Sequence, residues 1–208
     1  MNILNVEEKN ENLNSILYSC NEEELLIKFE NSPYILPMRI RDFNDEKECF
    51  KFLKVVERII RISSEYKLWR EYIKENLGEK YCKITGEKDE ETSVELHHHP
   101  FSLFSLCKFV TKDYMLNGKT FCSFDVACDV IELHYKMKAS FIPLVSSLHE
   151  KFHNGFLELP MEFVIGDWKW ILNKYGHLMD EEDKEIVRKR IGVNKENCGW
   201  NITWVKPQ

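Results

Sequence analysis

The sequence predicts an α+β fold. Three observations lead there. Short apolar runs bounded by turn residues occupy the first forty positions and recur beside two histidine clusters. Long stretches between and after them carry apolar residues at helical spacing. Strand-like and helix-like segments do not alternate regularly, as a parallel βαβ sheet would require. Near the start, Ser15-Ile16-Leu17-Tyr18 and Leu25-Leu26-Ile27-Lys28-Phe29 read as strands. Asn31-Ser32-Pro33 is a turn, and Tyr34-Ile35-Leu36 returns as a third strand of a small β-meander. Helices follow. Asn44 is placed to cap a helix over Asp45–Ile62, with Phe52, Val55, Val56, Ile59 and Ile60 as its apolar stripe. Ser63 or Ser64 restarts a second helix, which ends near Leu77 with Gly78 as its C-cap.

From residue 81 the pattern changes. Tyr81-Cys82-Lys83-Ile84 reads as a strand and Ser93–His98 as its returning partner, stopped by Pro100. Residues 101–138 read as helical, with Val126, Val130, Ile131, Leu133 and His134 recurring within the stretch 123–138. Phe141–Val145 is extended. A short helix capped by Ser146 runs to about His153 and ends at Asn154-Gly155, and Phe156–Leu159 reads as a strand before Pro160. Two more helices are expected, Trp168–Tyr175 and Glu181–Ile191 with Asp180 as N-cap, and a last strand at Trp200–Trp204. The resulting division is an N-terminal α/β region over 1–80, a histidine-rich unit over 81–160 with a helical insertion at about 101–138, and a C-terminal helical extension over 161–208.

Hydrophobic residues make up 43% of the 208 and aromatics 12%, enough to bury a core and to exclude wholesale disorder. No apolar run approaches the ~20 residues of a membrane helix, and the start has no signal-peptide pattern, so neither a membrane nor secretion is expected. Seven cysteines with no C-x-x-C pair fit reduced thiols and a cytoplasmic location better than a disulfide scaffold or a four-cysteine zinc knuckle. The net charge of -6 argues against nucleic-acid binding by bulk charge. Charge is unevenly spread, though: residues 39–83 hold 12 Lys/Arg against 9 Asp/Glu, while residues 1–38 hold 2 against 7 and residues 84–100 hold 1 against 5. Any contact with DNA is therefore expected to be local.

Five of the seven histidines fall in two clusters. The first is His97-His98-His99, at the end of a predicted strand. In the second, His149 and His153 are spaced i, i+4, which places both rings on one face of a helix. That spacing suits two imidazoles on one metal ion, and the first cluster supplies candidates for a third ligand. It also allows one ring to bind the ion while a neighbour stays free as a base. On a regular strand His97 and His99 share a face and His98 takes the other.

Cys82-Lys83-Ile84-Thr85-Gly86, Val94-Glu95-Leu96-His97-His98-His99-Pro100 and Pro143–Gly155 together resemble the HNH endonuclease family, in particular the HNH-type proteins of bacteriophages, over about residues 81–156. The resemblance implies a ββα-metal core: a hairpin followed by a helix, clasping one divalent ion. It implies His97, His149 and His153 as metal ligands and His98 as the general base; strand alternation leaves His99 as the alternative base. The ion is Mg2+, Mn2+, Ni2+ or Zn2+. The middle Asn of that family falls at Ser140 here, nine residues before His149, so either Ser140 orients the base by a weaker bond or another residue does so. The cysteine pairs that hold a structural zinc in many such proteins are absent. Lys108, Lys112 and Lys119 of the insertion come near the hairpin, where they either touch DNA or solvate loops.

The expected function is a metal-dependent endonuclease acting on DNA in a bacterial or phage-infected cell, with protein contacts through the N- or C-terminal regions. The alternative is a non-catalytic, metal-stabilised module that binds nucleic acid or protein. Metal behaviour separates the two: a structural ion is held tightly and its loss unfolds the chain, whereas a catalytic one exchanges.

Overall fold

The computed structural model describes residues 25–28, 35–38, 43, 45–86 and 94–193. The architecture is mixed α+β. Strands β1 (Leu25–Lys28) and β2 (Ile35–Met38) pair antiparallel, Leu25 opposite Met38. The first strand of the expected meander, at residues 15–18, and the last expected strand, at residues 200–204, lie outside the described residues.

Helix α1 (Glu46–Ile62) begins one residue later than expected. Asp45, not Asn44, is its N-cap, accepting a 2.7 Å bond from the Glu48 N–H. Leu53, Val56 and Ile60 form its buried face, while Val55 stands 51% exposed outside it. Ser63 both ends α1 and caps α2 (Ser64–Glu75), its hydroxyl accepting from the Tyr66 N–H. Helix α2 closes at Asn76, earlier than Leu77 and Gly78 implied; Gly78 instead holds a positive φ of 72° in the turn beyond.

Residues 81–84 form a turn, not the expected strand. The strand partner comes from across the insertion. β3 (Val94–His98) pairs antiparallel with β4 (Phe141–Val145), His97 opposite Ile142 and His98 opposite Phe141. Between them run α3 (Leu103–Leu116) and α4 (Ser123–Tyr135). β4 is buried along its whole length, and a fully buried apolar strand outcompetes the exposed Tyr81 end of residues 81–84 for this pairing. Pro143 has no N–H to donate, and its carbonyl accepts from the Lys83 N–H at 2.9 Å. Phe141 exchanges two backbone bonds of 2.9 Å with Ile165. Connecting chain thus covers an edge that is otherwise open to further strands.

The two faces of this hairpin meet different cores. Leu96, His98 and Phe141 lie against α1, α2 and α4, within the larger core that holds Trp69, Ile60 and Val130. Ile142 and Leu144 lie in a smaller core with Cys82, Leu148 and Leu159. Helix α5 (Ser146–His153) follows β4 directly and packs on this second side. Its N-cap is Val145, without a side-chain bond; the Ser146 hydroxyl donates to Glu95 instead. Residues 156–159 form no strand. Helices α6 (Trp168–Tyr175) and α7 (Glu181–Ile191) lie where the sequence placed them, Asp180 capping α7 through the Asp183 N–H at 2.9 Å. The cysteines of the described residues are free thiols.

On the larger-core side, His98 meets His134 of α4, Nε2 to Nε2 at 2.8 Å. The His134 Nδ1–H donates to the Val130 carbonyl, which leaves Nε2 as acceptor for a proton on His98. Tyr66 and Trp69 enclose both rings. Burial drives the His134 pKa down to about 4, against the Val130 bond that favours the charged ring.

Two outcomes follow from this packing. The depressed pKa of His134 means that the unfolded chain binds a proton which the folded chain refuses between about pH 6.5 and 4. Its contribution to stability is therefore complete above 6.5 and is lost as pH falls, on the order of 3 kcal/mol in all. Urea unfolding across that range should show a shallower pH dependence for His134→Gln than for the parent, and parallel curves would exclude the effect. Asp180→Ala removes the cap of α7 and should cost about 1 kcal/mol by the same measurement.

Candidate metal centre

Strand alternation builds this site. Glu95 and His97 are two residues apart on β3 and project to the side covered by α5. On α5, His149 and His153 are one turn apart and face β3. The ligand atoms of His97, His149 and His153 all lie within 4.8 Å of one another. The ring of His97 is 4.8 Å from that of His149 and 5.2 Å from that of His153. His97 is buried, His149 half-buried and His153 exposed, so the cluster has a closed side and an open one.

The hydrogen bonds set which nitrogen faces inward. The Glu95 carboxylate takes His149 Nδ1 at 2.7 Å through one oxygen and the Ser146 hydroxyl at 2.9 Å through the other. In the neutral ring, a proton on Nδ1 leaves His149 Nε2 with its lone pair free. That Nε2 is 2.9 Å from His153 Nε2. Two imidazole nitrogens so close share either a proton or a cation. His97 Nε2 is buried and has no hydrogen-bond partner among the described residues, which a shared proton between the other two leaves unexplained.

Burial, and then the neighbouring His149, push the His97 pKa down to about 2. His153 is lowered by the same two causes in the same order. Both rings are therefore neutral, the form that donates a lone pair to a metal. Phe152 seals the interior side, its ring 4.6 Å from that of His97.

The other sequence-predicted residues are not brought into this cluster. His98 points to the opposite face, bonded to His134 in the larger core, and burial and then His134 hold its pKa well below the usual value. His99 shares the face of His97, with its ring 5.8 Å from Phe152, but neither of its nitrogens has a hydrogen-bond partner among the described residues. Burial and then Arg190 lower its pKa to about 3. The Ser140 hydroxyl reaches only the Lys138 carbonyl, at 3.5 Å, and bonds neither His98 nor His99. Its backbone carbonyl accepts from the His99 N–H at 3.1 Å, so Ser140 fixes the hairpin end through its main chain. Lys108 pairs with Asp180 at 2.6 Å and Asp183 at 2.8 Å, and Lys112 donates to the Leu178 carbonyl. These lysines tie α3 to the start of α7.

Three residues of the neighbourhood escaped the sequence reading. Glu95 was visible in principle, since a carboxylate two positions before a ligand shares its strand face. His134 sat among the apolar residues of α4. Arg190 lies far along the chain, and no local pattern marks it as a neighbour of the histidines. Its guanidinium donates to the Pro100 carbonyl and lies 5.6 Å from the Phe152 ring centre.

No curated protein and no solved structure matches the chain. A family profile described as bacteriophage G278-like virion protein matches residues 1–198, nearly the whole sequence. This match overturns the resemblance to HNH endonucleases, and with it the expectation of an enzyme that hydrolyses DNA. The catalytic roles expected of His98, His99 and Ser140 rested on that enzyme reading. The expected cytoplasmic location is corrected by the same finding, because the family is one of virion proteins. The phage origin expected from the sequence agrees with it. No helix of the described residues is long and apolar enough to cross a membrane. The chain belongs to the bacteriophage G278-like virion protein family.

Proposed function

We propose that this protein is a structural component of the phage particle, working through contacts with other proteins, and that one zinc ion on His97, His149 and His153 locks α5 onto the β3–β4 hairpin. The observation that carries the metal reading is three rings with ligand atoms within 4.8 Å of one another, His97 Nε2 being buried and unpartnered and the Nε2 atoms of His149 and His153 being 2.9 Å apart. A metal ion satisfies all three at once. Of the ions compatible with the sequence, Mg2+ prefers oxygen ligands, whereas a set of three imidazole ligands suits Zn2+ or Ni2+. Glu95 supplies the carboxylate that such histidine ligands normally find behind them.

A structural role for the ion follows from where the ligands sit. β3 contributes one and α5 two, so the ion adds to the links already made by the Glu95 carboxylate and by the small core around Leu148 and Ile142. Binding the folded state alone stabilises it in proportion to the logarithm of ion concentration over Kd.

Purified protein should carry one equivalent of zinc by elemental analysis, and stripping it with a chelator should lower the melting temperature. His149→Ala combined with His153→Ala should abolish uptake; because neither residue lies deep in a core, the double variant should still fold. Zinc retained by that variant would exclude the site. Glu95→Gln should keep the ligands but weaken affinity roughly ten- to a hundredfold. For the particle, mass spectrometry of purified virions should find the chain at a fixed copy number. Its absence from virions would remove the structural assignment.

A further inference from the structure

The three histidines leave an ion of tetrahedral preference one ligand short. The described residues do not complete the set: no other His, Cys, Asp or Glu among them joins the cluster. Both oxygens of Glu95 are already engaged, by His149 Nδ1 and by the Ser146 hydroxyl, so Glu95 orients a ligand and is not one itself. Access to the remaining position is one-sided. His97 and Phe152 close the interior, while exposed His153 lines a groove of about 270 Å³ between α5 and α7, together with Phe152, Leu157, Ile186, Lys189 and Arg190.

From these observations we infer that the ion takes its last ligand from outside this chain: an acidic side chain of a protein partner, entering along the α5–α7 groove and met there by Arg190. The inference rests on the metal reading above and names the partner chemistry of the same site. Arg190 is already held in place by the Pro100 carbonyl and the Phe152 ring, and it makes no ion pair among the described residues. A fixed, unpaired guanidinium beside a divalent ion offers two positive centres to one anion, the arrangement a carboxylate fits with an oxygen on each. Lys189, by contrast, is paired with Glu158 at 2.8 Å at the rim.

The groove favours a carboxylate on a side chain over a nucleic-acid phosphate. Phe152, Leu157 and Ile186 give it apolar walls that pack against a methylene stem. The chain carries a net charge of -6, which is unfavourable to a polyanion.

The test uses Co2+ in place of zinc on the full chain, since its visible absorption reports ligand changes at the ion. Acetate should alter the spectrum saturably. Arg190→Gln should leave Co2+ content unchanged and weaken the acetate response roughly tenfold, while Arg190→Lys should restore part of it. Should Co2+ fail to bind at all, the metal reading itself is lost. Co2+ bound with a spectrum indifferent to acetate, in protein of unaltered circular dichroism, overturns the inference and leaves the metal reading standing. A response to dimethyl phosphate stronger than to acetate overturns the carboxylate assignment, and an acetate response unaffected by Arg190→Gln overturns the groove as the route.

Discussion

Everything around the histidines depends on the two-residue alternation of β3. Successive side chains of a strand leave opposite faces, so the single segment Glu95-Leu96-His97-His98 must supply two different environments. One face offers Glu95 and His97 to α5. The other offers Leu96 and His98 to the helices of the larger core. A shift of one residue in the pairing with β4 would exchange the two sets and place a carboxylate against Trp69. The pairing is held by the burial of β4 and by the backbone bonds that Lys83 and Ile165 make along its edge.

The two histidine pairs solve the same problem in opposite ways. Both bring imidazole nitrogens to within 3 Å. At His98–His134 the surroundings are aromatic and closed, and one proton between the rings, with the Val130 carbonyl behind, accounts for the contact. At His149–His153 a third ring stands close by with an unpaired buried nitrogen, and one side opens to solvent. The first arrangement is a packing device; the second has the form of a coordination site. Proximity of histidines alone does not distinguish them. The partner count of each nitrogen does.

Family membership changes what this chemistry is for. A three-histidine cluster at the end of a hairpin invites a hydrolytic reading. In a virion protein the reading we propose for the same cluster is a clasp, with its open side as the place where a neighbour attaches. The lysines once considered for DNA are consistent with this shift: Lys108 and Lys112 hold α3 against the start of α7, and α7 in turn carries Arg190 to the groove.

Local signals in the sequence were sufficient for most helices and for the pairing of His149 with His153, because caps and i, i+4 spacing depend only on neighbours along the chain. Asp180 and Ser63 mark helix starts by their own side chains, and His149 and His153 share a face in any helix. The partner of β3 was not legible in this way. Residues 81–84 are nearer in sequence than 141–145, but only the packed structure shows which strand is buried deeply enough to hold the ladder. The fate of His98 was equally hidden. Strand alternation separates it from His97, yet only the arrival of α2 and α4 on its face turns it from a free base into a core residue. Arg190 is the extreme case, joined to the site by a helix whose position is fixed by contacts across the whole fold. Spacing along a chain decides which side chains share a face; what stands opposite that face is decided by how the elements share their cores.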